Sequence, residues 1–224
     1  MAVLLICVAG TGQGNASLRG ASEHIERELA VPAPEVILEK SEADAAYNIG
    51  VKYYNYSDQY EYIAYAVKWF RRAAKLGSAD AQYRLGVAYG RGESLAIDYA
   101  EAYKWYRLAA GQMNKGGQYG LGSLYVNGRG VERDVVEAAK WFKLAARQGM
   151  VHAQYELGLL FFEGQSVQQD YQEAYFWLAL GSKELDEAME KRDEAAKQLT
   201  GEQLKVIRSR LKEWKPGIPE VLPD

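Results

Sequence analysis

Residues 117–149 read GQYGLGSLYVNGRGVERDVVEAAKWFKLAARQG, and the landmarks of this stretch return at a fixed step of 36 residues in both directions. Trp141 has counterparts at Trp69, Trp105 and Trp177, and Ala138 at Ala66, Ala102 and Ala174. Gly122 belongs with Gly50, Gly86 and Gly158, Tyr119 with Tyr47, Tyr83 and Tyr155, and Leu121 with Ile49, Leu85 and Leu157. Independent positions sharing one step over four copies mark a stacked array, in which each unit buries its apolar face on its neighbours.

One unit resolves into two helices. In the second copy Ala81, Leu85, Ala88 and Tyr89 stand at i, i+4, i+7 and i+8, which lines one face of a helix. Gly90-Arg91-Gly92 reads as the break, matched by Gly128-Arg129-Gly130 in the third copy. Asp98 is placed to cap a second helix, along which Ala102, Trp105, Tyr106, Ala109 and Ala110 form another stripe; Asp134 and Asp170 recur at the same seat. The fold expected is all-α: an alpha-alpha superhelix, or solenoid, of four 36-residue helix-turn-helix repeats at about 43–78, 79–114, 115–150 and 151–186, with a C-terminal helical cap. In this reading the four indoles are buried between successive hairpins, and the four glycines let helices approach closely.

The ends depart from the pattern, as terminal units of an array do. The first copy turns through Asn55-Tyr56-Ser57-Asp58, and the fourth keeps Gly164-Gln165-Ser166 but carries Gly181-Ser182 where others have Ala-Ala. The repeats proper run over 43–182, and capping helices over 183–215 include a capping box at Thr200-Gly201-Glu202-Gln203. A tail covers 216–224, and a lead-in with Pro32 and Pro34 covers 17–42. Residues 1–16 open with MAVLLICVAGTGQG, an apolar run too short to cross a bilayer but shaped like the hydrophobic part of a secretory signal. Cleavage between Ala16 and Ser17 is expected, giving a periplasmic or secreted chain; retention of 1–16 gives a cytoplasmic one instead. No Lys or Arg precedes the run. Gly10-Thr11-Gly12 begins like a dinucleotide fingerprint, but Asn15 stands where the third glycine belongs and no βαβ alternation follows.

Composition narrows the function classes. The net charge of −3 supplies no general field for nucleic acid or anionic lipid. The single cysteine, Cys7, excludes an intramolecular disulfide and would leave with the signal. The chain is rich in Tyr (17) and poor in Pro (5), and its 22 glycines are spread through the array, which suits close packing rather than a flexible segment.

The unit A-x-x-x-L-G-x-x-Y…G-x-G-V…D…A-x-x-W-x-x-x-A-A-x-x-G resembles the Sel-one-like repeat (SLR) family, relatives of the tetratricopeptide repeats. The third copy carries it best, with Leu121-Gly122, Tyr125, Gly128, Gly130-Val131, Asp134, Ala138, Trp141, Ala145-Ala146 and Gly149. Met113 replaces the unit-ending glycine and Gly117 the opening alanine, departures that bear on local geometry. The resemblance implies a right-handed superhelix serving as an adaptor, often exported in bacteria and found in envelope, signalling or host-contact complexes.

An enzyme needs a nucleophile, base or metal in a defined site. His24 and His152 have no partner at a ligand or catalytic spacing, and Asp98, Asp134 and Asp170 read as helix caps. No catalytic, metal or cofactor residue is therefore expected. A cell-wall or β-lactam-acting enzyme is the alternative class, but SLR relatives linked to penicillin binding pair cysteines within each repeat, which this chain lacks. Binding of a protein or peptide on the concave wall of first helices is the favoured reading. The tyrosines at 47, 83, 119 and 155 read first as packing. Candidate contact positions are Asn48, Val51, Tyr54, Arg84, Val87, Ser123, Glu156 and Leu159, and Asn48, Arg84, Gly120 and Glu156 vary between copies. No nucleic-acid partner and no integral membrane segment after cleavage are expected, and oligomeric state is left open.

Overall fold

The computed structural model describes residues 42–56, 60–164 and 168–217. The signal and lead-in readings of 1–41, and most of the tail, lie outside them. Ten helices follow one another: α1 (Glu42–Asn55), α2 (Tyr60–Lys75), α3 (Ala79–Arg91), α4 (Tyr99–Gly111), α5 (Lys115–Asn127), α6 (Val135–Arg147), α7 (Val151–Glu163), α8 (Tyr171–Gly181), α9 (Asp186–Ala196) and α10 (Gly201–Glu213). Among the described residues there is no strand. No helix among them is long and apolar enough to cross a membrane. From α1 to α8, odd and even helices pair as four hairpins, each packed on the next, while α9 and α10 both pack on α8.

Small polar side chains start six of the helices, whereas α7 and α9 begin at Met150 and Leu185 without a side-chain cap. Asp98 accepts from the backbone N–H of Glu101 at 2.9 Å, Asp134 from Glu137 at 2.9 Å, and Asp170 from Gln172 at 2.8 Å, each satisfying an otherwise orphaned donor. Ser78 and Asn114 do the same for α3 and α5, and Thr200 with Gln203 forms the reciprocal box at α10. Loop geometry is equally periodic. The backbone N–H of each second-helix cap reaches back to the last turn of the first helix: Asp98 to Tyr89, Asp134 to Tyr125 and Asp170 to Phe161, all at 3.0 Å.

The stripe of the second helix differs from the expected one by a single residue. Ala102, Tyr106, Ala109 and Ala110 are buried, whereas Trp105 is half-buried at the stripe's edge, as are Trp69 and Trp141. Of the four indoles only Trp177 is fully enclosed. The core seat belongs to the next residue: Phe70, Tyr106, Phe142 and Leu178. Each presses on the glycine of its own repeat, since a Cβ on Gly50, Gly86, Gly122 or Gly158 would run into those four side chains in turn. The glycines thus act as flat beds for large residues, and close helix approach follows from that fit.

The indoles differ for a local reason. In repeat four Trp177 Nε1 donates to Glu173 at 2.9 Å. Glu101 and Glu137, four residues before Trp105 and Trp141, are instead paired with Lys104 (2.5 Å) and Lys140 (2.9 Å), so both buried indole N–H groups lack a protein acceptor. Phe176 stands at the lysine seat in repeat four, which frees Glu173. Glu173 also pairs with Arg210 of α10, whose guanidinium lies 3.7 Å over the Phe176 ring. With Ile207 buried and the Gly217 N–H donating to Arg147 O at 2.9 Å, α10 closes the second-helix side of the last two repeats.

Candidate binding face

Residue 35 of each of the first three units sets how the next unit begins. Gly77 and Gly149 have φ of 95° and 78°, and Met113, their counterpart, adopts 60°. The left-handed turn is kept despite the side chain, so the array runs on without a break. Gly117, the other departure, is needed where it stands. A Cβ there would meet Ala109 Cβ at 2.6 Å and the backbone of Ala110 at 2.8 Å. Helix α5 therefore lies closer to α4 than an alanine would allow.

The two Gly-x-Gly motifs, which sequence reading aligned with each other, are out of register by two residues. Gly92, Gly128 and Gly164 are the equivalent positions, each the left-handed cap ending a first helix, at φ of 75°, 62° and 69°. Gly130 corresponds to Ser94, which also takes a positive φ of 55°. Gly90 is thus no turn residue. It lies within the last turn of α3, at the seat held by Tyr54, Val126 and Phe162 in the other copies.

That displacement shapes the surface formed by the first helices. Between repeats one and two, Arg84 of α3 stacks 5.2 Å over the ring of Tyr54 of α1. The corresponding seats between repeats two and three are Gly90 and Gly120, and two bulky groups are missing there. A cleft of about 170 Å³ opens between α3 and α5, lined by Tyr83, Val87, Gly90, Arg91, Tyr99, Tyr106, Tyr119, Gly120, Ser123, Leu124 and Arg129. Tyr106 forms its floor, its ring lying under both Gly86 and Gly120.

Of the expected contact residues, the cleft gathers Val87 and Ser123, together with Gly120 and two of the repeated tyrosines. Asn48 is exposed elsewhere on α1, and Val51 and Leu159 are half-buried away from it. Tyr54 and Arg84 are engaged with each other, and Tyr54 also approaches Glu93 at 3.5 Å. Glu156 is half-buried, and burial, with Glu163 adding to it, raises the pKa of its carboxyl. Burial likewise raises the Tyr106 and Tyr119 hydroxyls above the ordinary phenol range, Tyr106 strongly, while Arg91 works in the opposite sense on both. Both hydroxyls stay protonated at neutral pH. Arg91, Arg129, Tyr99 and Tyr106 were not singled out as contact residues from sequence, because only the register of Gly90 brings them together.

Sequence reading also missed a polar ladder. Gln82, Gln118 and Gln154 keep the 36-residue step and are fully buried. Gln112 Nε2 donates to Gln82 Oε1 and Gln148 Nε2 to Gln118 Oε1, both at 2.7 Å, while Gln82 and Gln154 donate to Ala74 O and Ala146 O at 3.2 Å. Their even spacing was a readable signal. Among the described residues no group of His, Cys, Asp and Glu is arranged to hold a metal ion.

Comparison with known proteins fits this geometry. The Sel1 repeat family model matches residues 43–78, 79–112, 116–150 and 151–184, more than half of the chain. This chain belongs to the Sel1 repeat family. Sel1 repeats generally mediate protein–protein interaction and are generally non-catalytic. Among solved structures, a Sel1 repeat protein from Oxalobacter formigenes superposes with a TM-score of 0.64 at 24% identity, over 92% of this chain and 91% of that one. A protective antigen of uropathogenic Escherichia coli displaying an SLR fold superposes with a TM-score of 0.53 at 25% identity, over 79% of this chain. This Sel1 chain spans only 46% of that antigen's length. No curated protein matches the sequence.

Proposed function

We propose that this Sel1 array is a non-enzymatic adaptor, exported to the bacterial envelope or beyond, that holds a protein or peptide along its first-helix face. The observation that carries the reading is that face itself. Helices α3 and α5 contact each other directly, and their shared surface exposes residues that differ from repeat to repeat while the scaffold beneath is repeated. Tyrosine and arginine, the side chains most often dominant in protein recognition, are concentrated there. Export rests on the apolar opening of residues 1–16 and the small residues that follow.

Affinity purification from the native host tests the adaptor role. A partner retained by the wild type and lost by Ser123→Arg, with unchanged thermal melting, supports it. Equal recovery with both chains places binding on another surface. The mass of the native N-terminus tests export separately: a chain starting at Ser17 agrees with it, and an intact Met1 contradicts it.

A further inference from the structure

The cleft between the second and third repeats is a built site with unused hydrogen-bonding capacity. Tyr106 is more than nine-tenths buried, and its hydroxyl is the atom nearest a Cβ placed on Gly90, at 3.6 Å. Among the described residues that hydroxyl has no hydrogen-bond partner, and neither have those of Tyr83 and Tyr119. Arg91 has no ion pair among the described residues, and Arg129 has none either, its guanidinium lying 5.5 Å over the Tyr99 ring. Four tyrosines and two arginines line one small volume, with no carboxylate among the lining residues. Glu93 and Glu156 are nearby but outside it, the first approached by the Tyr54 hydroxyl.

The volume identifies what can enter. Pockets for small organic ligands run to roughly 300–1,000 Å³. The 170 Å³ here matches a single side chain with its displaced water. Two arginines, which donate and cannot accept, with no carboxylate to neutralise them among the lining residues, favour an anion, and the aromatic walls accommodate a short methylene stem.

We infer that the Gly90–Gly120 cleft takes one acidic side chain, Asp or Glu, of an extended partner segment, with Arg91, Arg129 and the Tyr106 hydroxyl as its donors. This rests on the adaptor reading above and gives it a chemical specificity: the partner segment carries a carboxylate at the position crossing from repeat two to repeat three.

Two probes test the charge requirement by amide NMR, N-acetyl glycyl-glutamyl-glycine amide and its glutaminyl counterpart. The Gly90, Gly120 and Ser123 amides should shift with the acidic peptide, and about tenfold more weakly with the neutral one, the loss of a charge-assisted contact. Arg91→Ala should weaken the acidic peptide by a similar factor. Gly90→Val should abolish its effect. Valine is the residue carried at the same seat by repeat three, and a Cβ on Gly90 meets only ordinary contacts, so the variant should fold. Equal shifts from both peptides, or shifts unaffected by Gly90→Val, overturn the inference. A host partner that binds Gly90→Val as tightly as wild type but is lost with Ser123→Arg overturns the cleft assignment while leaving the adaptor role standing.

Discussion

Met113 holds a backbone conformation that its equivalents Gly77 and Gly149 hold without strain. A left-handed residue with a Cβ costs about 1–2 kcal/mol, part of which glycine returns through the larger entropy of its unfolded chain. Met113→Gly should therefore stabilise the array by about 0.5–1 kcal/mol in urea unfolding. Glu156 gives a pH signature. Its carboxyl binds the proton more tightly in the folded chain, because burial and Glu163 both disfavour the charge. Below the unfolded-state pKa this contributes nothing; as pH rises from there through the folded pKa, stability falls. Glu156→Gln should raise the melting temperature at pH 7 and do so less at pH 3.5, and a gain equal at both pH values would contradict the assigned cause. The core ring of repeat three is likewise a residue-scale matter. Phe142→Ala should cost about 3–5 kcal/mol, and Trp141→Ala distinctly less, as befits a ring at the edge.

Helices set a different kind of limit. Because α5 lies against α4 with backbone atoms inside 3 Å of a Cβ on Gly117, Gly117→Ala cannot be absorbed by a side-chain rotation. It should destabilise by about 1–3 kcal/mol, and the Gly90, Gly120 and Ser123 amides should shift with it, since the same approach frames the cleft. The caps Asp98, Asp134 and Asp170 were legible because an acceptor one turn ahead of an apolar stripe has few other uses. The choice between adjacent aromatics was not. Trp105 and Tyr106 differ by 100° on the helix, and either can be placed on a stripe until the glycine bed opposite is known. The slip of Gly90 against Gly128 was hidden for a related reason. Two Gly-Arg-Gly triplets look equivalent by composition, and only the 36-residue step, applied strictly, separates a helical glycine from a cap.

At the level of the whole molecule, hairpins stacked at a constant step give a scaffold that the sequence announced through its period, and the family match names it. The binding face was legible only as a wall, since the contact residues on it depend on which seats are empty. Partners are expected to engage the first-helix side at the junction of repeats two and three. Photo-crosslinking in the native host tests it directly, with a benzophenone side chain at Asn127, exposed one turn beyond Ser123 at the end of α5, or at Leu108, which is 52% exposed on α4. A discrete protein adduct from position 127, absent from 108 and lost with Gly90→Val, is the predicted result. Adducts from 108 alone would contradict the claim.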